Sequence, residues 1–340
     1  MGIDIDKTTF EAADFKAFGK RLEQNLESLQ ALLTRPGFGA GPASMGSEME
    51  MYIVDASGYP LYANEEIEEE AKDTQLTLEL NRYNLEYNLS PYALDQSAFA
   101  KTEAEILAKL QQLRGVAARH GGRIVPIGIL PTLRKTDFGP HCITRRRRYH
   151  ALVEQLIRRR GDKFHIEING DDPLKLELAD ITLEGANTSF QVHYRVTPGN
   201  YADTFNAMQL LTPLAVAISA NSPTLFGHRL WQETRIPLFK QSIDTRHTDR
   251  YGWREPARVS FGQGWARRGA GELFQEVVRI YPPLLPVCSD VSPSQEQTDA
   301  VTPSLAELRL HQGTVWLWNR PIYDDAGGGH LRIEMRALPA

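Results

Sequence analysis

Apolar residues recur at three- and four-residue steps from Phe15 through Phe18, Leu22, Leu26 and Leu29 to Leu33, which predicts a helix within residues 1–36. RPGFGAGP (35–42) closes it as a proline- and glycine-rich loop. The period then drops to two. MGSEMEMYIV (45–54) predicts a strand that ends in the turn DASGYP, and 76–89 (LTLELNRYNLEYNL) is expected to be extended. Helical spacing returns from Phe99 to about Arg119, with Ile106, Leu107, Leu110, Leu113 and Ala117 on one stripe. RIVPIGIL (123–130) predicts a buried strand. KFHIEI (163–168) and LKLEL (174–178) alternate on either side of NGDDP, a hairpin signature. NTSFQVHYRV (187–196) is another alternating strand. Residues 201–219 are apolar almost all round, which predicts a buried helix. TVWLW (314–318) and HLRIEMRAL (330–338) are expected to pair as a second hairpin through NRPIYDDAGGG.

Hairpins dominate the strand connections, so the predicted class is α+β with a mainly antiparallel sheet, not a doubly wound parallel one. No break in composition marks a boundary, and residues 1–340 are expected to form one domain. The 41% hydrophobic and 24% charged content is that of an ordinary globular protein. A net charge of −5 argues against a general nucleic-acid binder. Cys142 and Cys288 lie far apart, without metal-type spacing, which disfavours a disulfide scaffold and suits a reducing cytoplasm. MGIDIDKTTF lacks the charged-then-apolar pattern of a signal peptide, and LLTPLAVAISA (210–220) is too short to span a membrane. A cytoplasmic protein is expected.

Side chains alternate across a strand, so residues i and i+2 share a face about 7 Å apart. The opening strand puts Glu48, Glu50 and Tyr52 on one face and Met49, Met51 and Ile53 on the other. In NLEYNL, Asn84, Glu86 and Asn88 oppose Leu85, Tyr87 and Leu89. In FQVHYRV, Gln191, His193 and Arg195 oppose Phe190, Val192, Tyr194 and Val196. In LRIEMRAL, Arg332, Glu334 and Arg336 oppose Leu331, Ile333, Met335 and Ala337. A sheet with one wet face accounts for any one of these strands. The four polar faces together hold Glu, His, Gln, Asn and Arg and no Lys. Carboxylates converging with one histidine point to a divalent metal, oxygen-rich ligation to Mg²⁺ or Mn²⁺, and arginine nearby to phosphate.

These segments resemble the glutamate–cysteine ligase family, especially its bacterial carboxylate–amine ligase branch. GSEMEMYIVD is similar to that family's opening G-x-E-x-E strand and NLEYN to its next acidic strand. NTSFQVHYRV is similar to its Val-His strand. SANSP (219–223) with Trp231 and Arg235 resembles its Ser-Pro turn and downstream arginine, and LRIEMRAL its closing Glu-x-Arg strand. The motifs run in order over residues 45–338. The resemblance implies a fold like the catalytic domain of glutamine synthetase, in which a curved antiparallel sheet forms an active-site funnel with helices on its outer face. It implies an ATP-dependent ligase acting through an acyl phosphate, with Mg²⁺ or Mn²⁺ as cofactor. The substrates would be small molecules, an amino-acid carboxylate such as glutamate and an amine such as cysteine, with no nucleic acid or membrane involved. Carried over by position, the metal ligands are Glu48, Glu50, Glu86, His193 and Glu334. Arg336 holds a nucleotide phosphate, and Arg235 meets the substrate carboxylate or the phosphate in transfer. Gln191 and Arg195 line the same face toward the cofactor. Catalysis would centre on Glu50, Arg235, Glu334 and Arg336. Two alternatives use the same residues: an Mg²⁺-dependent phosphohydrolase, or a catalytically weak member that binds nucleotide or amino acid. The chain ends four residues after Arg336, where family members usually continue into further helices, so the expectation is either a truncated sequence or a missing closing layer.

The other motifs carry less. TRRRRY (144–149) and RRR (158–160) form a basic patch, either a lid that gathers anions or a solvated helix face, the latter favoured. GFGAG (37–41) lacks the Lys-Ser/Thr of a phosphate-binding loop and precedes a strand, so it is expected to be a linker. GGG (327–329) is expected to be a hairpin turn. His228, His247 and His311 lack metal-binding spacing and are expected to be structural or surface residues. Trp316 and Trp318 could stack on adenine, but core or rim packing is the commoner use of such residues.

Overall fold

The period-two segments gather into one sheet. The computed structural model describes residues 5, 7–246, 255–291 and 302–340. The strands are β1 (Ser44–Val54), β2 (Leu76–Leu78), β3 (Asn84–Ala93), β4 (Arg123–Val125), β5 (Phe164–Ile168), β6 (Leu174–Leu178), β7 (Ser189–Val196), β8 (Thr224–Leu225), β9 (His228–Arg229), β10 (Val259–Ser260), β11 (Trp316–Leu317), β12 (Asn319–Asp324) and β13 (His330–Pro339). The helices are α1 (Ala12–Thr34), α2 (Asn64–Ala71), α3 (Ala98–Arg119), α4 (Arg147–Arg160), α5 (Tyr201–Ser219), α6 (Arg235–Ser242), α7 (Ala270–Ile280) and α8 (Ala306–Gln312). Seven strands form the main sheet in the order β12-β13-β7-β1-β3-β2, with β4 beside the far end of β1. Every pairing in it is antiparallel. The class is therefore α+β, as the hairpin signals predict. Among the described residues no helix is long and apolar enough to cross a membrane.

The alternation of β1 decides which side is core. Met49, Met51 and Ile53 face outward from the polar side and pack with Leu85, Tyr87 and Leu89 of β3, against Leu110, Leu113, Val116 and Ala117 of α3 and Ile67 of α2. Met51, Ile53, Leu85 and Tyr87 are wholly buried. Each such side chain contributes on the order of 2 kcal/mol by leaving water. Outward Leu331, Ile333 and Met335 of β13 join a second core with α1, α5, α7 and α8. The β5–β6 hairpin forms as predicted and buries Ile166, Ile168 and Leu174 with Leu238 of α6. Helix α1 ends at Arg35, which is already extended, because the next residue, Pro36, disfavours the helical conformation before it.

Four expectations are corrected. The predicted strand 123–130 pairs only over Arg123–Val125; Pro126 has no N–H for a ladder, and Gly128 lies where a Cβ would come within 3.0 Å of its neighbours. The extended run 76–89 is two antiparallel strands, Leu76 opposite Tyr87, broken by the turn that carries Asn81 and Arg82. The closing hairpin pairs 319–324, not 314–318, with β13. Its first strand is an edge, which is why Pro321 is tolerated there, while Trp316–Leu317 pairs in parallel with β10. Helix α5 is not buried all round. Tyr201, Phe205, Met208 and Thr212 face the core, whereas Leu210, Leu211, Leu214 and Ile218 are 62%, 55%, 64% and 91% exposed. An all-apolar helix tells the reader that burial is affordable on every side, not which sides are covered.

Candidate active site

The polar faces of β1, β3, β7 and β13 meet on the inner side of the sheet, because register aligns them. Glu50 lies opposite Glu86, and Glu48 opposite Asn88 on one side and Gln191 on the other. His193 lies opposite both Gly46 and Glu334. Glu334 in turn faces Arg320 of β12. Tyr52 follows Glu50 on the same face and closes the floor; it is wholly buried, donates to the Ala186 carbonyl at 2.7 Å and stacks on Tyr83.

The carboxylates separate into two clusters, each with ligand atoms within 4.8 Å of one another: Glu48, His193 and Glu334, and Glu50, Glu79 and Glu86. In the first, His193 Nε2 stands 3.0 Å from Glu48 Oε1 and 3.6 Å from Glu334 Oε1. Nδ1, on the other side of the ring, is buried without a hydrogen bond among the described residues. Burial pushes the Glu48 carboxyl up, but the adjacent His193 outweighs it and holds it at about 2. Burial also acts to raise Glu334, yet Arg320, Arg336 and His193 keep it far below the usual carboxylate range. Arg320 grips Glu334 with both edges of its fork, Nε to Oε2 at 2.7 Å and Nη2 to Oε1 at 2.9 Å.

The second cluster is electrostatically the opposite. Burial and the neighbouring Glu86 push Glu50 up to about 7, against hydrogen bonds from the Ser189 N–H (2.7 Å), the Ser189 hydroxyl (2.8 Å) and Gln191 Nε2 (2.9 Å). Burial and Glu48 raise Glu86, which accepts from Thr77 and Asn88 at 2.9 Å each. Glu79 is raised well above its ordinary value by burial, then Glu86 and Glu50. Glu184 is pushed up to about 8 by burial and Glu50. Crowding thus opposes ionising all of these carboxyls at once, a cost that a divalent ion would relieve. Gln191 links the two clusters. It donates to Glu50 and accepts from Arg336 Nη1 at 2.7 Å, and Arg336 also reaches Glu334 Oε2 at 3.2 Å.

Residues 44–260 match the family model for glutamate-cysteine ligase family 2 (GCS2), which is well over half the chain. The chain belongs to that family. No curated protein matches this GCS2 chain. Among solved structures it is similar to a bifunctional glutathione synthetase from Pasteurella multocida, at 11% identity and a TM-score of 0.45, over 94% of this chain and 37% of that one. It is also similar to a glutamate–cysteine ligase from Francisella tularensis in complex with AMP, at 10% identity and a TM-score of 0.43, over 88% of this chain and 62% of that one. The GCS2 chain thus spans 37% and 62% of the length of these two proteins.

The predicted residues fall in different places within the GCS2 chain. Glu48, Glu50, Glu86, Gln191, His193, Glu334 and Arg336 converge as described. Arg235, the first residue of α6, is buried and bonded to Glu233 Oε1 at 2.9 Å and the Ala337 carbonyl at 3.1 Å. Arg195 lies one step along β7 from His193 and donates to the Ala40 carbonyl at 2.8 Å. Sequence reasoning did not single out Glu79, Glu184 or Arg320. Glu79 continues the Thr77 face of LTLEL, so strand alternation could have found it. Arg320 lies in a segment expected to be a loop. The basic patch is largely paired: Arg145 with Glu65, Arg146 with Glu68, Arg159 with Glu255. Trp318 is core, packed on Phe239, and Trp316 meets the same ring. His311 is buried, His228 bonds the Asp172 carbonyl, and His247 lies outside the described residues.

Proposed function

We propose that this GCS2 chain is an ATP-dependent ligase that joins a carboxylate to an amine through an acyl phosphate. One observation carries the reading: two clusters of carboxylate and imidazole ligands stand on one sheet face, with an arginine bonded between them. The residues suit two oxygen-preferring divalent ions, one held by Glu48, His193 and Glu334, the other by Glu50, Glu79 and Glu86. A buried His193 Nδ1 without a partner among the described residues, and crowded carboxyls whose ionisation burial and neighbouring carboxylates oppose, suit such ions. Mg²⁺ held by these residues would supply Lewis-acid stabilisation of the charge that develops during transfer.

The chain's own residues supply orientation. Arg336, steadied by Gln191 and Glu334, presents its guanidinium toward a phosphate between the clusters. Arg320 keeps Glu334 ionised and fixes its plane. Tyr52 and Tyr83 exclude water beneath Glu50, so charges act in a dry site. A substrate carboxylate would attack the γ-phosphorus of ATP, releasing ADP, and an amine would then displace phosphate from the acyl carbon to give the amide. No nucleophilic side chain is required, since positioning and electrostatics carry such transfers. Glutamate and cysteine are the substrates the family name suggests. The test is substitution: Glu50→Gln and Glu334→Gln should each abolish Mg²⁺-dependent ATP turnover with circular dichroism unchanged. Undiminished turnover in both variants would contradict the reading.

A further inference from the structure

The inner face continues past the metal-ligating rows, and its next row is basic. Arg195 of β7 lies directly opposite Arg332 of β13, one pleat beyond the His193–Glu334 pair, so each is about 7 Å along its strand from that cluster. Like charges placed opposite one another on neighbouring strands destabilise a sheet unless something neutral or negative lies between them. The compensation present is incomplete. Arg332 Nη2 is 3.2 Å from Asp324 Oδ2 on the edge strand. Arg195 has only a neutral partner among the described residues, the Ala40 carbonyl at 2.8 Å. His330, a third basic group at this end, is occupied with the Ala326 carbonyl at 3.3 Å.

Three further observations point to a ligand. The Nε atoms of Arg195 and of Arg332 are both buried and have no hydrogen-bond partner among the described residues. A guanidinium takes two oxygens of a carboxylate or phosphate with a pair of its N–H groups; Nη2 of each arginine is engaged, by the Ala40 carbonyl and by Asp324, and its Nε is not. The surroundings also keep the place clear. Gly41, at φ +137°, takes a backbone conformation that favours glycine, and a Cβ there would come 2.9 Å from Arg195 Nη2 and displace the guanidinium. Gly46, opposite His193, leaves the strand bare between Glu48 and this row; even a Cβ there would meet nothing nearer than 3.8 Å. The loop is itself anchored to the β12–β13 hairpin by Phe38, which stacks on Tyr323 and packs against Gly329.

We propose that Arg195 and Arg332 form a second anion subsite beside the metal-ligating face, seating a carboxylate or phosphate of one of the substrates between their two forks. That the anion belongs to a substrate rests on the ligase reading; that the row binds an oxyanion rests on the arginines alone. The two sources are separable. Wild type, Arg195→Met, Arg332→Met and Arg332→Lys are titrated by calorimetry with L-glutamate and with Mg·ADP separately, and with inorganic phosphate in the absence of metal. Both Met variants are expected to weaken phosphate and one of the two substrates by about tenfold or more, leaving the other substrate unaffected. A loss confined to glutamate assigns the subsite to the acid's carboxylate, and a loss confined to ADP assigns it to the nucleotide. Arg332→Lys keeps a charge for Asp324 but has no fork, so it should fold as the wild type does and still bind weakly. The subsite is refuted if the variants bind all three probes as the wild type does, or if the wild type binds none of them. The ligase reading fails separately, if the wild type binds an anion through these arginines yet releases no ADP with any pairing of acid and amine.

Discussion

Replacing Arg320 with Met removes the partner that holds Glu334, and the structure sets the size of the effect. The pair is bidentate, at 2.7 and 2.9 Å, and its side chains are 12% and 2% exposed. Removing one member of a buried pair costs about 3–5 kcal/mol, because the remaining charge is left uncompensated. Here Arg336 at 3.2 Å and His193 at 3.6 Å still face Glu334, so the expected loss falls below that range, at about 2–3 kcal/mol. The assay is a double-mutant cycle in urea at pH 7 with Arg320→Met, Glu334→Gln and the pair. In the Glu334→Gln background the charge is gone, so Arg320→Met should cost at most about 1 kcal/mol and leave a coupling of about 2 kcal/mol. A loss below about 0.5 kcal/mol for Arg320→Met, or the same loss in both backgrounds, would refute the argument that Arg320 holds this carboxylate charged.

Other outcomes follow from the same geometry. Gly128→Ala should lower the urea midpoint by the equivalent of about 1–3 kcal/mol, because its Cβ would lie 2.9 Å from the Asn221 carbonyl and from Pro339 and 3.0 Å from Arg235. His311 is buried, and burial followed by Arg258 lowers it to about 4. Its folded value lies below its unfolded one, so its contribution is complete above about pH 6.5 and is lost as pH falls toward 4. Between pH 7 and 5 that loss is about 2 kcal/mol, and His311→Leu should show a correspondingly flatter acid limb in urea titrations. Mn²⁺ at a hundredfold excess over its Kd should stabilise the chain by about 2.7 kcal/mol for each ion bound, reversed by EDTA and stronger at pH 8 than at pH 6, as read by thermal melts. Glu79→Gln should leave the melting temperature in EDTA unchanged or higher, since it removes a crowded carboxyl, while shrinking the Mn²⁺ effect.

Much of this site was legible because strand alternation is strict. Once β1 is a strand, Glu48 and Glu50 must share a face, and the same holds for Gln191 with His193 and Glu334 with Arg336. What alternation does not give is register across strands, and register is what sorts the ligands into two clusters and sets Arg195 against Arg332. Arg320 was hidden by its own neighbours: Asn319, Pro321 and two aspartates look like a turn, and only an edge position lets that segment pair. Glu79 was visible in LTLEL but lies at the point where the strand breaks into a turn. The exposed side of α5 was illegible because composition reports hydrophobicity, not what packs where. Arg235 was singled out, but its bond to the Ala337 carbonyl, 102 residues on, is one that no periodicity encodes.

The central claim is tested most directly by ADP release from Mg·ATP, with single amino acids and all their pairs supplied to the purified chain. The account predicts release only when a carboxylate donor and an amine acceptor are both present, abolished by Glu50→Gln. Release that proceeds at full rate without any amine would contradict it and assign the two clusters to phosphate-ester hydrolysis instead.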